Sequence, residues 1–180
     1  ILEMEKKKIL VLNMVANTIG DSVILLSMFN VIKKNYPNSF LVVTADNLSK
    51  NLWLGNQEID EIIEIKELEE IGNQSLPRLK KLLLYLKMLF SLSGKLKQEK
   101  FDMCFITYPN FFLMPLIPWL AKIKERIGFT YKGSILSFLL TKKTPSKIVF
   151  DGYFERHIIE SFLDLLRVKG LAFTDKDTIC

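Results

Sequence analysis

The feature that most constrains the fold is a regular alternation of short apolar runs with amphipathic stretches. Residues 8–14 are apolar without a helical period, whereas residues 24–32 repeat apolar side chains at the spacing of one helix face. Residues 40–44 then predict a second strand, 46–54 a short helix and 59–65 a third strand. Strand, helix, strand, helix, strand is typical of a doubly wound α/β domain with a mostly parallel sheet.

The second half of the chain continues the alternation, with one ambiguous stretch at residues 130–150. The further elements predicted are a long helix at 77–97 with leucines on one side and lysines on the other, a strand at 101–107, a helix at 111–122, a strand at 126–129 and a helix at 153–169 that Gly170 ends as its C-cap. The sequence from residue 174 to 180 resembles a linker or a loose end.

Composition and charge exclude several classes of protein. With 180 residues, 49% hydrophobic and 25% charged, the chain can fill one globular core and is not disordered. A net charge of +5 suits phosphates, an anionic membrane surface or nucleic acid. No RNP-like motif, zinc finger or basic arm supports nucleic-acid binding. Cys104 and Cys180 form neither a disulfide framework nor a zinc motif, so we expect a reducing compartment.

Neither a secretory signal nor a membrane span is predicted. Residues 3–8 are mostly charged, and the apolar run that follows is only as long as a strand. Residues 103–121 lack charge and would be long enough to span a bilayer, but Pro109, Pro115 and Pro118 interrupt them. A buried strand, a loop and a short helix explain this stretch better.

The first strand-to-helix turn is unsuited to a nucleotide. It has neither Gly-x-Gly-x-x-Gly nor a P-loop, and Gly20 is followed by Asp21, whose carboxylate would repel a pyrophosphate. This turn places Asp21 at the carboxyl edge of the sheet, where open α/β folds bind their ligands. Two interpretations remain open: Thr18 and Asp21 form a helix-capping box, or Asp21 is catalytic.

Three other features have a plain and a functional interpretation. His157 and Glu160 lie three residues apart on a helix, but no nucleophile elbow accompanies them, which favours a structural or interfacial role. Arg126 and Lys132 flank a turn expected near the edge that carries Asp21, either as solvated charges or as cations for an anionic sugar or phosphate. The helix at 77–97 presents either a solvated lysine face or a surface for an anionic membrane.

Six segments in order resemble motifs of glycosyltransferase family 9, the bacterial heptosyltransferases of lipopolysaccharide core assembly. Together they cover residues 8–170. They are the first strand running into Asn17-Thr18-Ile19-Gly20-Asp21, then Asn35-Tyr36-Pro37-Asn38, Asn56-Gln57-Glu58-Ile59-Asp60-Glu61, Phe101-Asp102-Met103-Cys104-Phe105, Lys124-Glu125-Arg126-Ile127-Gly128-Phe129, and the helix with His157, Glu160, Phe162 and Leu163.

The resemblance implies a GT-B fold, in which two Rossmann-like domains face each other across a cleft. The N-terminal domain of that family receives the acceptor and the C-terminal domain binds ADP-heptose, and transfer inverts the anomeric centre without a required metal. By this resemblance residues 4–172 form the N-terminal, acceptor-side domain, residues 173–180 form a linker or tail, and the donor-binding domain is absent from this sequence. A non-catalytic α/β binding domain is the alternative.

The resemblance also implies roles for individual residues. Asp21 corresponds to the family's general base, Arg126 to an arginine near the anionic acceptor, and Asn17 and Thr18, with Gly20, to the acceptor-binding turn. It implies no cofactor and no metal ligand. The implied partners are a nucleotide-sugar donor and a lipid-linked or glycan acceptor, at the cytoplasmic face of the inner membrane. Val15 departs from the family's usual cation, which leaves another hexose, heptose or glycan open as the acceptor.

Overall fold

The structure, a computed structural model, describes residues 6–15, 18–72, 75–108, 113–130, 134–145 and 158–178. The strands are β1 (Lys8–Leu12), β2 (Phe40–Ala45), β3 (Glu61–Glu64), β4 (Met103–Ile106), β5 (Glu125–Thr130) and β6 (Lys142–Pro145). The helices are α1 (Ile19–Asn35), α2 (Asn47–Trp53), α3 (Glu67–Gly72), α4 (Arg78–Glu99), α5 (Leu116–Leu120) and α6 (Ile158–Lys169). Two short 3-10 helices span Ile135–Leu139 and Asp175–Thr178.

The six strands form one sheet in the order β3-β2-β1-β4-β5-β6. Every neighbouring pair is parallel. This confirms the predicted doubly wound parallel sheet with the first strand in its interior. The strand order reverses direction between β1 and β4, and open α/β sheets bind their ligands in the crevice beyond the carboxyl ends of such a strand pair.

Helices cover both faces of the sheet. One core lies between the sheet and α1, α2 and α6, and includes Phe29, Trp53 and Phe162. The other lies between the sheet and α3, α4 and α5, and includes Met88 and Cys104. Because the central strands are buried on both faces, they are almost entirely apolar, which is why they carry no alternating pattern in the sequence. Burial raises the pKa of the Cys104 thiol, so this cysteine behaves as a small core residue.

Several predicted boundaries need correction. β6 and α3 were not predicted. The helix expected at 111–122 is seen only as Leu116–Leu120 in the part of this stretch that is described. The last helix is seen from Ile158, and the start expected at 153 lies outside the described residues. Gly170 is confirmed as the C-cap of α6: its φ is +88°, and its N–H donates to the Leu166 carbonyl at 3.1 Å.

The segment expected to be loose is attached to the domain between residues 174 and 177. Lys34 of α1 forms an ion pair with Asp177 at 2.7 Å, and the Thr174 N–H donates to the same carboxylate at 2.6 Å. The Lys34 side chain, followed by the hydrogen bonds from Thr174, lowers the pKa of Asp177 to about 2. Within the described residues, no helix combines the length and hydropathy required to cross a bilayer.

Candidate functional site

Asp21 lies in the first turn of α1, directly beyond the carboxyl end of β1. Thr18 is the N-cap residue, with extended backbone angles (φ −121°, ψ 99°) that turn the chain from the strand connection into the helix. Asp21 is half-buried, and its backbone is fixed in the helix. The predicted position of Asp21 at the carboxyl edge of the sheet is confirmed.

The Thr18 hydroxyl does not perform the capping function that the sequence suggested. It makes no cap hydrogen bond to the first turn, and its buried oxygen has no partner among the residues that the structure describes. The Thr18 carbonyl instead accepts a hydrogen bond from the Ser22 hydroxyl at 2.8 Å. Because a buried hydroxyl without a partner costs stability, the Thr18 side chain has an unused capacity to bind a polar group at this edge.

Tyr108 brings a second unpartnered hydroxyl to the same place. It follows β4 by two residues, and β4 is the neighbour of β1 across the point where the strand order reverses. The residue is 5% exposed, and its ring packs edge-to-face on Phe162, with the ring centroids 5.4 Å apart. Within the described part of the chain its hydroxyl has no hydrogen-bond partner of ordinary length and angle.

The Asp21 carboxylate acts directly on the Tyr108 phenol. Burial raises the pKa of Tyr108 well above its usual range, and the neighbouring Asp21 side chain raises it further, both as an acceptor and as a negative charge. The hydroxyl stays protonated at any physiological pH and has a proton to donate. Since the bond between the two groups lacks ordinary geometry, we regard them as neighbours that a bound hydroxyl could bridge.

A chain of contacts holds the first turn of α1 against α2. The Trp53 indole N–H donates to the Ser22 carbonyl at 2.9 Å, and the ring packs edge-to-face on Phe29 at 5.3 Å. The Ser22 and Ser49 hydroxyls lie 2.7 Å apart, and the Ser49 N–H donates to the N-capping Asp46 carboxylate at 2.9 Å. Contacts with α2 therefore hold in place the turn that carries Asp21.

Other polar groups at this edge are used within the protein. The Thr44 hydroxyl accepts from the Asn13 N–H and donates to the Asn13 carbonyl, both at 2.8 Å. The Thr107 hydroxyl lies 3.3 Å from the Leu12 carbonyl oxygen. These bonds tie together the ends of β1, β2 and β4. They distinguish these structural hydroxyls from those of Thr18 and Tyr108, which make no hydrogen bond of ordinary geometry within the described residues.

Arg126 does not lie with Asp21, and the expectation that it shares this edge is wrong. It is the second residue of β5 and pairs with Cys104, four residues before Tyr108, so its Cα lies roughly 13 Å back along the strands. Its guanidinium donates to the carbonyls of Ile123 at 2.5 Å and Leu139 at 2.6 Å. The side chain fixes the entry to β5, on the sheet face opposite α1.

Of the remaining predicted residues, the structure describes Gly20 but not Asn17, Lys132 or His157. Gly20 is exposed in the first turn of α1, and a Cβ there would meet no protein atom within 4 Å. The space above it is therefore open to a ligand. The described residues contain no group of three or more histidine, cysteine or acidic side chains placed to hold a metal.

Sequence reasoning missed Tyr108. The available signal was its position: it is the first tyrosine after the fourth apolar strand. In a parallel sheet that position must meet the end of the first strand if the two are neighbours. The sequence alone did not establish that they are neighbours.

Comparisons with known proteins identify the fold. No protein-family model and no curated protein sequence matches the chain. Among solved structures, it resembles the E. coli ADP-heptose lipopolysaccharide heptosyltransferase II, with a TM-score of 0.63 and 23% identity over 94% of this chain and 43% of that one. It also resembles a glycosyl transferase family 9 protein from Veillonella parvula, with a TM-score of 0.69 and 16% identity over 92% of this chain and 42% of that one.

A third similar structure is the E. coli heptosyltransferase WaaC with ADP-2-deoxy-2-fluoro heptose, with a TM-score of 0.65 and 9% identity over 93% of this chain and 50% of that one. The chain thus spans half or less of the length of each of these proteins. Its fold is that of a Rossmann-like portion of heptosyltransferase structures, as the sequence motifs predicted.

Proposed function

We propose that this domain is the acceptor-binding half of an inverting, metal-independent sugar transferase of the heptosyltransferase type, with Asp21 as its general base. The observation that carries the proposal is the placement of the half-buried Asp21 carboxylate at the switch point of the sheet, beside the Tyr108 hydroxyl. The fold shared with heptosyltransferases supports the reaction type. The donor we propose is a nucleotide-sugar, with ADP-heptose as the first candidate.

The chemistry follows from the needs of the acceptor. An acceptor hydroxyl must lose its proton as its oxygen forms a bond to the anomeric carbon, while the bond from that carbon to the nucleoside diphosphate breaks and the diphosphate leaves with the electron pair. Asp21 takes the proton. Attack from the face opposite the leaving group inverts the anomeric centre. The acceptor we propose is a sugar of a lipopolysaccharide core or a related glycan, met on the cytoplasmic side.

Thr18 and Tyr108 are proposed to hold the acceptor. Within the described residues the buried Thr18 hydroxyl has no partner and the Tyr108 hydroxyl has only the neighbouring Asp21 carboxylate, and a sugar hydroxyl supplies both a donor and an acceptor to such groups. Hydrogen bonds from a bound sugar to these hydroxyls offset the free-energy cost of burying them. Gly20 leaves room for the ring. The proposed site leaves out Arg126, because its guanidinium donates to backbone carbonyls.

Replacing Tyr108 by Phe tests the positioning role. In the natural protein with its donor domain, we expect turnover to fall about tenfold, because the hydroxyl that orients the acceptor beside Asp21 is lost while the ring packing on Phe162 stays. The free energy of unfolding should change by less than about 1 kcal/mol, since the only protein group beside the hydroxyl is the Asp21 carboxylate and their contact lacks ordinary hydrogen-bond geometry. Initial rates at varied acceptor concentration measure the first effect and urea unfolding the second.

A matched control is Tyr36→Phe, at the opposite end of α1, which should leave turnover within about twofold. A Tyr108→Phe protein that turns over normally would remove Tyr108 from the site. One that loses stability in proportion to its activity would assign the residue a purely structural role.

The 180-residue chain is expected not to bind ADP. The turn after β1 has one glycine and an acid, so it lacks the ring of backbone N–H groups that holds a pyrophosphate. Isothermal titration calorimetry of the chain with ADP should detect no binding with a Kd below about 1 mM. Circular dichroism confirms that the sample is folded. Micromolar binding of ADP to this chain would place the donor site here and contradict the proposed division of roles.

A further inference from the structure

α4 is longer than the sheet that it covers. Its 22 residues extend about 33 Å, whereas the five residues of β1 extend about 17 Å. Its buried side chains lie between Met88 and Leu96, so only the second half of the helix packs on the sheet core. The first half, from Arg78 to Lys87, extends past it.

The projecting half has an apolar face with no partner in the described structure. Leu79 and Leu83 repeat at the spacing of one helix face, Leu82 lies beside them, and Phe90 continues the same face into the second half of the helix, while Leu86 on this face is half-buried. Leu79 is 69% exposed, Leu83 59% and Phe90 65%. A core-facing helix would bury such a stripe, so the interpretation of α4 as a core-facing apolar stripe with a solvated lysine face does not describe the exposed leucines of its first half.

Positive charge flanks this face. Lys80 and Lys87 are exposed seven residues apart, on the same side of the helix, and between residues 71 and 98 the sequence has no acidic residue. Lys80, Lys87 and Leu83 share a surface hollow with Leu76, Leu84 and one acid, Glu70 of α3. Exposed leucines beside lysines are the composition of helices that lie in the interface of an anionic bilayer.

The direction of the chain places this face near the candidate site. α4 leads from β3 back to the start of β4, so in a parallel sheet its first turns lie at the carboxyl edge. That is the edge that carries Asp21 and Tyr108. We propose that the exposed face of α4 docks on an anionic lipid bilayer and so holds the acceptor edge close to the membrane surface.

The proposal is tested by vesicle binding, which requires no catalytic activity and therefore stands or falls separately from the proposed function. The 180-residue chain is sedimented with vesicles of phosphatidylcholine containing 30% phosphatidylglycerol, or of phosphatidylcholine alone. We expect at least about tenfold tighter binding to the anionic vesicles, because each basic residue at such a surface contributes roughly fivefold.

Two pairs of variants locate the surface. Lys80→Glu with Lys87→Glu should weaken binding at least about tenfold, whereas Lys124→Glu with Lys143→Glu, which changes the net charge equally elsewhere, should stay within about twofold. Leu79→Ser with Leu83→Ser should also weaken binding about tenfold, while Leu52→Ser with Leu54→Ser, exposed leucines on the other sheet face, should not.

If an α4 double variant and its matched control lose vesicle binding equally, overall charge or hydrophobicity and not α4 drives binding. That result would overturn the proposal. So would a change of oligomeric state in the Leu79 and Leu83 variant, measured by sedimentation velocity, with vesicle binding unchanged. That result would make the face an interface with a second copy of the chain.

Discussion

The proposed function predicts that turnover falls at least about a hundredfold when Asp21 is replaced by Asn, the usual effect of losing a positioned base. Asparagine keeps the size and the hydrogen-bonding geometry of the side chain but cannot accept the acceptor's proton. Initial rates with donor and acceptor in excess measure the change. The acceptor KM should stay within about threefold, because the groups that hold the acceptor are unchanged.

Stability separates this role from a helix-capping one. Asp21 lies in the first turn of α1, where a negative charge is favourable, but the Thr18 hydroxyl with which it would share a capping box makes no cap bond. Asp21→Asn should therefore cost no more than about 1 kcal/mol of unfolding free energy. Glu67→Gln, a first-turn acid of α3, is the matched control and should leave turnover unchanged. A variant of Asp21 with normal turnover and a large stability loss would contradict catalysis.

Replacing Trp53 by Ala is expected to lower the free energy of unfolding by about 3–5 kcal/mol. The ring is 1% exposed, packs on Phe29, and donates to the Ser22 carbonyl at 2.9 Å, so its removal leaves a cavity beneath the turn that carries Asp21. Urea denaturation followed by circular dichroism measures the loss.

Two comparisons check the cause of that loss. Trp53→Phe keeps an apolar ring and removes the N–H, and should cost about 1–2 kcal/mol. Trp119→Ala removes the other tryptophan, which is 47% exposed, and should cost less than about 1 kcal/mol. If Trp53→Ala costs no more than Trp119→Ala, α2 does not support the first turn of α1 in the way the structure indicates.

The fold was predictable because its strongest signals are local. The strands near the middle of the sheet are buried on both faces, so they stand out as apolar runs between amphipathic helices. β6 was missed for the opposite reason: it pairs only with β5, at one edge of the described sheet, and its sequence Lys142-Lys143-Thr144-Pro145 is polar and ends in proline. Edge strands commonly have this composition because it discourages pairing with another chain.

The candidate site was predictable only in part. Asp21 lies in the first turn of the helix that follows the first strand, so chain direction alone predicts the edge of the sheet at which it lies. Tyr108 depends on β4 being the neighbour of β1, a long-range pairing that no local pattern encodes. Arg126 was misplaced because it was expected to flank a turn at the carboxyl edge, whereas it is the second residue of β5 and therefore lies near the amino end of that strand.

The central claim is that Asp21 removes the acceptor's proton during sugar transfer, and a single-turnover experiment tests it most directly. The natural protein in excess over a labelled nucleotide-sugar, with saturating acceptor, is quenched at intervals, and the sugar transferred is counted. The account predicts an inverted product and a first-order rate at least about a hundredfold slower for Asp21→Asn, at unchanged acceptor binding. Equal rates for the two proteins would contradict it.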